Sequence, residues 1–333
     1  MKQLNEITLI LFCIIGIVFL IKHRMDRKKG QKKDEEGLID EFVKKHSKVL
    51  WGILLLLIFI SRIYQFVILP AYVGVDEAAA AYDGYALSEY GVDRYLLSYP
   101  VYLINFGGGQ SALYAYLVAG FIKLFGTELW VYRSPSLLIF IGSIFACYFM
   151  VKRAKDQKTA FLFAFLIIIF PWHIMSSRFG LDCNLLFSLL SIDLYLLTVI
   201  RNIKGYIFTG FMIGLTLYTY CLSYLILPIF LLLWLAYEIY LKKITIKQIL
   251  GLGIPIFILA LPLMYMIILN NGWATQTTFG WMTVPKLLEY RQNEIAISNI
   301  WNHGIGTLIH IFFSDDVLYF IQLPFFLIGL LTA

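Results

Sequence analysis

Residues 249–270 read ILGLGIPIFILALPLMYMIILN, a stretch of 22 positions without a charge. A helix needs about 20 predominantly apolar residues to cross a hydrocarbon core, so this stretch puts at least part of the chain in a bilayer. Similar runs begin at Val49, Ser134, Ala160, Leu185, Tyr206, Tyr224 and Val317. Ile7–Ile21 is followed by KHRMDRKKG rather than by small residues suited to cleavage, and reads as a retained anchor. Of 333 residues, 60% are hydrophobic and 14% charged, against roughly 45–50% and 25% in soluble domains. That composition excludes a water-soluble enzyme. The expected fold class is all-α, a polytopic membrane helical bundle with nine spans. Leu331-Thr332-Ala333 ends an apolar run without a polar flank, so the chain is read as truncated at its C-terminus.

Basic residues orient the bundle. With the segment around Gln31 taken as cytoplasmic, Lys22–Lys48, Lys152–Lys158, Arg201–Lys204 and Lys242–Lys247 lie inside. Pro70–Arg133, His173–Cys183, the Cys221 turn and Asn270–Asp316 lie outside. Inner segments then hold 19 of the 27 Lys and Arg and outer ones 7, as the positive-inside rule requires. Leu113–Phe125, LYAYLVAGFIKLF, is too short to span and carries Lys123; if it crossed, every later basic loop would face outward. It is expected as an interfacial helix on the outer face, with Tyr114 and Tyr116 at headgroup level. The net charge of +6 is thus a topology signal, and no nucleic-acid partner is expected. Residues 1–48 form the anchor and a basic linker touching anionic lipid, and residues 49–333 the transmembrane module. Long connections usually carry function, so the chemistry is expected to face outward from the cell membrane.

The first outer segment contains PAYVGVDEAAAAYDGYALSEYG, residues 70–91. It predicts a helix stopped by Gly91, with Asp76 and Glu77 in its first turn and Asp83 on the face of Asp76. Acids in a first turn can simply complement the helix dipole. Here they also sit just beyond a membrane exit, where a carboxylate suits a reaction in which an acceptor hydroxyl loses its proton as it attacks. If the leaving group is a phosphate, the site also needs positive charge. The outward candidates are Arg62, Arg94, Lys123, Arg133, Arg178, Lys286 and Arg291. Arg62 either snorkels or is paired within the membrane. Arg133, at a helix start, should have an anionic partner. Arg178 and Asp182 have the i, i+4 spacing of a local ion pair, and a solvated loop helix explains Arg291 as well as a site does. His173, His303 and His310 are scattered, and Cys13, Cys147, Cys183 and Cys221 give neither a disulfide framework nor metal spacing. GGGQ at Gly107 is read as a loop near the membrane surface. No cofactor is evident, although Asp76, Glu77 and Asp182 could converge on a divalent cation.

Taken in order, Arg62, PAYVGVDEAAAAYDGYALSEYG, YPVYLINFGGGQSALYAYLVAGFIKLFG, VYRSPSLL and IIIFPWHIMSSRFGLDCNLLF resemble the N-terminal module of GT-C membrane glycosyltransferases, notably protein O-mannosyltransferases and aminoarabinose lipid A transferases. The resemblance covers residues 50–190 well and the remainder by helix pattern. It implies transfer of a sugar from a polyprenyl-phosphate carrier to a hydroxyl acceptor of a lipid, glycan or protein on the outer face. It maps the catalytic acid to Asp76, with Glu77 beside it, and maps substrate-binding positions to Arg133 and Asp182. Gln110-Ser111-Ala112-Leu113-Tyr114 stands where aminoarabinose transferases carry a phosphate-binding Lys before Pro-Pro-Leu-Tyr. Arg133, Arg178 or Arg291 is then expected to meet the phosphate. A transporter or flippase of lipid-linked glycans would place ionisable groups in mid-span, whereas Asp193 and Glu238 are read as lying near cytoplasmic ends. A polysaccharide polymerase or ligase is close in chemistry to a transferase and remains a second alternative.

Overall fold

The computed structural model describes residues 32–288. The anchor, residues 22–31 of the basic linker, Arg291, His303, His310 and the run from Val317 lie outside the described residues. Eleven α-helices run in order through the described part: α1 Lys32–Lys45, α2 Ser47–Ile58, α3 Val75–Tyr90, α4 Leu113–Phe125, α5 Leu129–Ala154, α6 Gln157–Ile169, α7 Pro171–Arg178, α8 Asp182–Val199, α9 Ile203–Thr216, α10 Ser223–Tyr240 and α11 Ile246–Asn270. A π-helical turn, Phe59–Ile63, extends α2. Two short antiparallel hairpins, β1 Tyr102–Asn105 with β2 Gly108–Ser111 and β3 Thr278–Phe279 with β4 Met282–Thr283, join the bundle.

Four of these helices, α5, α8, α10 and α11, are long and apolar enough to cross a membrane, and two bent pairs bring the number to six among the described residues. The second bend, 60° between α6 and α7, falls at Pro171, which cannot donate to the preceding turn but suits the first position of a new helix. Leu232 and Leu233 on α10 and Phe257 and Ile258 on α11 are exposed, as expected of a surface solvated by lipid. α9 has 14 residues, about 21 Å of helix against a hydrocarbon core of about 30 Å. It is therefore not among the helices long enough to span by themselves.

α9 and α11 approach closely through small residues. A Cβ on Gly210 would come within 2.2 Å of the Leu252 carbonyl oxygen, and one on Gly214 within 2.6 Å of Leu259 Cδ1. This is the spacing by which two membrane helices gain dispersion contact when no aqueous hydrophobic effect drives them together.

The helix read from residues 70–91 is α3, and Gly91 ends it at φ 69°. α4 has the limits expected of it, and the hydroxyls of both its tyrosines turn into the protein. Tyr114 is 1% exposed and donates its hydroxyl to the Tyr132 carbonyl at 2.5 Å, and Tyr116 donates to the Pro100 carbonyl at 3.0 Å. A phenol buried among α3, α4 and α5 needs an acceptor, and both find one inside the protein. The Tyr114 hydroxyl thus ties the first turn of α4 to the first turn of α5. Gly108, Gly109 and Gln110 of GGGQ lie in β2 rather than in a loop. Phe106 and Gly107 form its two-residue turn with φ 48° and 80°, the left-handed pair that matches hairpin twist.

Candidate active site

A cavity of about 360 Å³ is lined by Asp76, Asp182 and the β1–β2 hairpin, with Tyr220, Cys221, Tyr224, Met266 and Leu287 completing its wall. These residues come from four connections: the first outer segment, the turn before α8, the turn after α9, and the chain around α11's end. The charge alternation read from the sequence puts all four on one side. Contacts on the other side agree. Lys158 pairs with Asp40 at 3.2 Å, and Gln248 donates to the Arg201 carbonyl at 2.6 Å, joining segments that the alternation puts together.

Asp76 and Glu77 part company within one helical step. Asp76 is exposed on the cavity wall, and Asn105 Nδ2 donates to its Oδ1 at 3.1 Å. Glu77, 1% exposed, accepts from Arg133 Nε at 2.8 Å and Nη2 at 3.1 Å, and from the Gly180 amide at 2.9 Å. Glu77 thus holds the turn that leads into Asp182 and does not line the cavity. Asp182 in turn accepts from the Ser111 amide at 3.1 Å, with Gln110 Nε2 at 3.5 Å. A ring closes: Asp76, Asn105, the hairpin, Asp182, Gly180 and Glu77, the neighbour of Asp76.

The arginines are spoken for. A guanidinium has five N–H donors, and those of Arg133 meet both oxygens of Glu77 and the carbonyls of Val67, Pro70 and Tyr72. The anionic partner expected for Arg133 is therefore Glu77, and each of its donors is engaged inside the protein. Arg178 is not ion-paired to Asp182. It donates instead to the carbonyls of Ser61, Tyr64 and Leu69. The chain leaving α2 ends its helix with unpaired carbonyls, and two guanidinium groups fill that demand. Arg62 does not snorkel. It is 0% exposed, donates to the carbonyls of Ile167 and Ile168 and to Ser61, and lies 2.8 Å from His173 Nδ1. None of the three lines the cavity. Asp83, expected on the face of Asp76, is buried in a bidentate pair with Arg94.

Glu77 is engaged with Arg133 and Gly180, so Asp76, Glu77 and Asp182 do not converge on one point. Among the described residues no group of three His, Cys, Asp or Glu is placed to hold a metal ion. In the outer segment, burial pushes the Asp93 carboxyl above its usual range although the Leu97 and Tyr95 amides donate to it. Asp193, expected near a cytoplasmic end, is buried and accepts from Thr216 at 2.7 Å, at the end of α9 that leads toward the cavity. Asn105 was not singled out in the sequence. Its only local signal is its place immediately before the hairpin turn.

A multi-pass helical membrane protein with a carboxylate-lined cavity is the class that fold and site define. Residues 110–267 match the family described as dolichyl-phosphate-mannose-protein mannosyltransferase, so the resemblance to GT-C membrane glycosyltransferases holds over that segment. It includes Gln110, Arg133, Arg178 and Asp182 and begins after Asp76. No curated protein matches the chain. Among solved structures the chain is similar to the crystal structure of ArnT from Cupriavidus metallidurans in the apo state. The two are 15% identical with a TM-score of 0.49, over 69% of this chain and 43% of that one. The chain thus spans less than half the length of that protein.

Proposed function

We propose that this protein is a GT-C membrane glycosyltransferase that moves a sugar from a polyprenyl-phosphate carrier to a hydroxyl acceptor on the extracytoplasmic face. The observation that carries the reading is the position of Asp76, exposed in a cavity that a second carboxylate, Asp182, also lines. In the step, the acceptor oxygen bonds to the anomeric carbon while its proton passes to the Asp76 carboxylate. The bond from the anomeric carbon to the phosphate oxygen breaks, and the carrier phosphate leaves with the electron pair. Asn105 occupies Asp76 Oδ1, leaving the other oxygen for the acceptor hydroxyl. Tyr224, Met266 and Leu287 supply apolar surface for the first isoprene units.

Positive charge for the leaving phosphate is assigned to Arg291, and to Lys286, which is exposed next to cavity-lining Leu287. The test is transfer by the full-length protein from a radiolabelled polyprenyl-phosphate sugar, read as acceptor-dependent release of carrier phosphate. Asp76→Asn should reduce turnover at least a hundredfold, consistent with the loss of a general base at about 10²–10⁴-fold, with insertion and thermal midpoint unchanged. Turnover equal to wild type would remove Asp76 from the mechanism. Solute uptake into sealed vesicles without transfer would favour a transporter instead.

A further inference from the structure

Asp193 is a carboxyl inside α8, a helix long and apolar enough to cross a membrane, and it is 1% exposed. It follows Asp182 in the same helix by about 16 Å and does not line the cavity. Its Oδ2 is bonded to the Thr216 hydroxyl at 2.7 Å, and its Oδ1 has no hydrogen-bond partner within the protein. Among the described residues it makes no ion pair. Placing a carboxyl in a span costs more than one hydrogen bond offsets. Thr216 does not need it either, because its hydroxyl also reaches the Met212 carbonyl at 3.1 Å, the usual partner of a threonine inside a helix. Stability therefore does not explain Asp193, and what hangs on Thr216 does.

Thr216 is the last residue of α9. The connection after it carries Tyr220 and Cys221, and the first turn of α10 carries Tyr224; all three line the cavity. The connection is braced within itself: Thr219 Oγ1 donates to the Thr216 carbonyl at 2.7 Å, and Ser223 Oγ to the Leu217 carbonyl at 3.1 Å. It is also tied to three other helices. The Leu113 amide at the start of α4 donates to the Tyr218 carbonyl at 3.2 Å, the Tyr218 hydroxyl donates to the Leu259 carbonyl of α11 at 2.7 Å, and Thr216 meets Asp193 of α8. We propose that Asp193 is a positioning residue: through Thr216 it fixes the connection between α9 and α10, and with it the cavity wall of Tyr220, Cys221 and Tyr224 against which the lipid end of the donor lies. This rests on the glycosyltransferase reading, in which Tyr224 meets the first isoprene units, and adds to it a residue that shapes the wall without touching the donor. Asp76 and Asp182 are held by Asn105 and Ser111 instead, so a displaced wall changes how the donor binds and leaves the transfer step as it was. What Thr216 takes from Asp193 is an oxygen, not a charge.

The experiment uses the full-length protein and a radiolabelled polyprenyl-phosphate hexose. Asp193→Leu should raise KM for this donor about tenfold, the loss of one hydrogen bond at the upper end of its usual range, with kcat within about twofold of wild type. Its thermal midpoint in detergent should stay level or rise, since a leucine suits the span better than a carboxyl, so weaker use of the donor cannot be blamed on unfolding. Asp193→Asn keeps the oxygen and should restore KM to within about twofold of wild type. Thr216→Val should raise KM as Asp193→Leu does, and the double variant no further than either alone, as expected of two groups in one bond. A wild-type KM or a lowered midpoint in Asp193→Leu, an Asn variant as poor as the Leu variant, or additive rises in the double variant overturns the inference and leaves the glycosyltransferase reading standing. If wild type transfers no sugar, that reading fails, and Cys221 reports on the wall by itself. Its labelling by a soluble maleimide, read peptide by peptide, should be several times faster in Asp193→Leu than in wild type or Asp193→Asn. Equal rates in all three overturn the inference.

Discussion

Asp76 and Glu77 are neighbours, and one helical step of about 100° separates an exposed carboxylate from one buried against Arg133. The consequence is a difference in what each substitution does. Glu77→Gln leaves the Arg133 guanidinium buried without its counter-charge, and breaking a buried pair in this way costs about 3–5 kcal/mol. Thermal unfolding in detergent should show a markedly lower midpoint for Glu77→Gln and an unchanged one for Asp76→Asn. Equal midpoints would mean that Glu77 is not structural. The need of Arg133 for an anion was legible, because a cation at a helix N-terminus opposes the dipole. Which acid answers it was not. Arg178 shows why: its i+4 neighbour Asp182 is close in sequence, yet the carbonyls of Ser61, Tyr64 and Leu69 surround its guanidinium.

Element boundaries were read well wherever one local rule governed. Gly91 ends α3 because a left-handed residue is required there, and the charge of Lys123 marks the short apolar helix α4. The hairpin escaped notice because its turn places Phe106, not Asn or Gly, at the first left-handed position, so the usual turn signature is missing. The close contact of α9 and α11 depends on glycines whose partners lie some 40 positions along the chain. Gly210→Ala pushes a methyl against the Leu252 backbone and should destabilise the bundle by about 1–3 kcal/mol. Gly214→Ala meets only the Leu259 side chain, which can rotate, and should cost less. A chemical-denaturation series in detergent checks the order, and an equal or reversed effect would show that the helices do not pack through Gly210.

At the scale of the whole molecule, four connections assigned to one side by charge meet around one cavity. Which side of the membrane that is can be tested with native thiols. Cys183 is exposed at the cavity and should react with a membrane-impermeant maleimide added to intact cells. A thiol introduced by Lys155→Cys should react only after permeabilisation. The opposite pattern would turn the cavity toward the cytoplasm and end the proposed use of a carrier-linked donor from outside.

The sequence alone was enough for the helical membrane class and the positions of most candidate spans among the described residues. These follow from transfer free energies and charge counts, which add up along a chain with little regard to distant partners. The division of labour among carboxylates and guanidinium groups was decided by tertiary structure. A buried ionisable group takes whichever partner the fold brings within about 3 Å, and for Glu77, Arg133 and Asp182 those partners come from segments far apart in the chain.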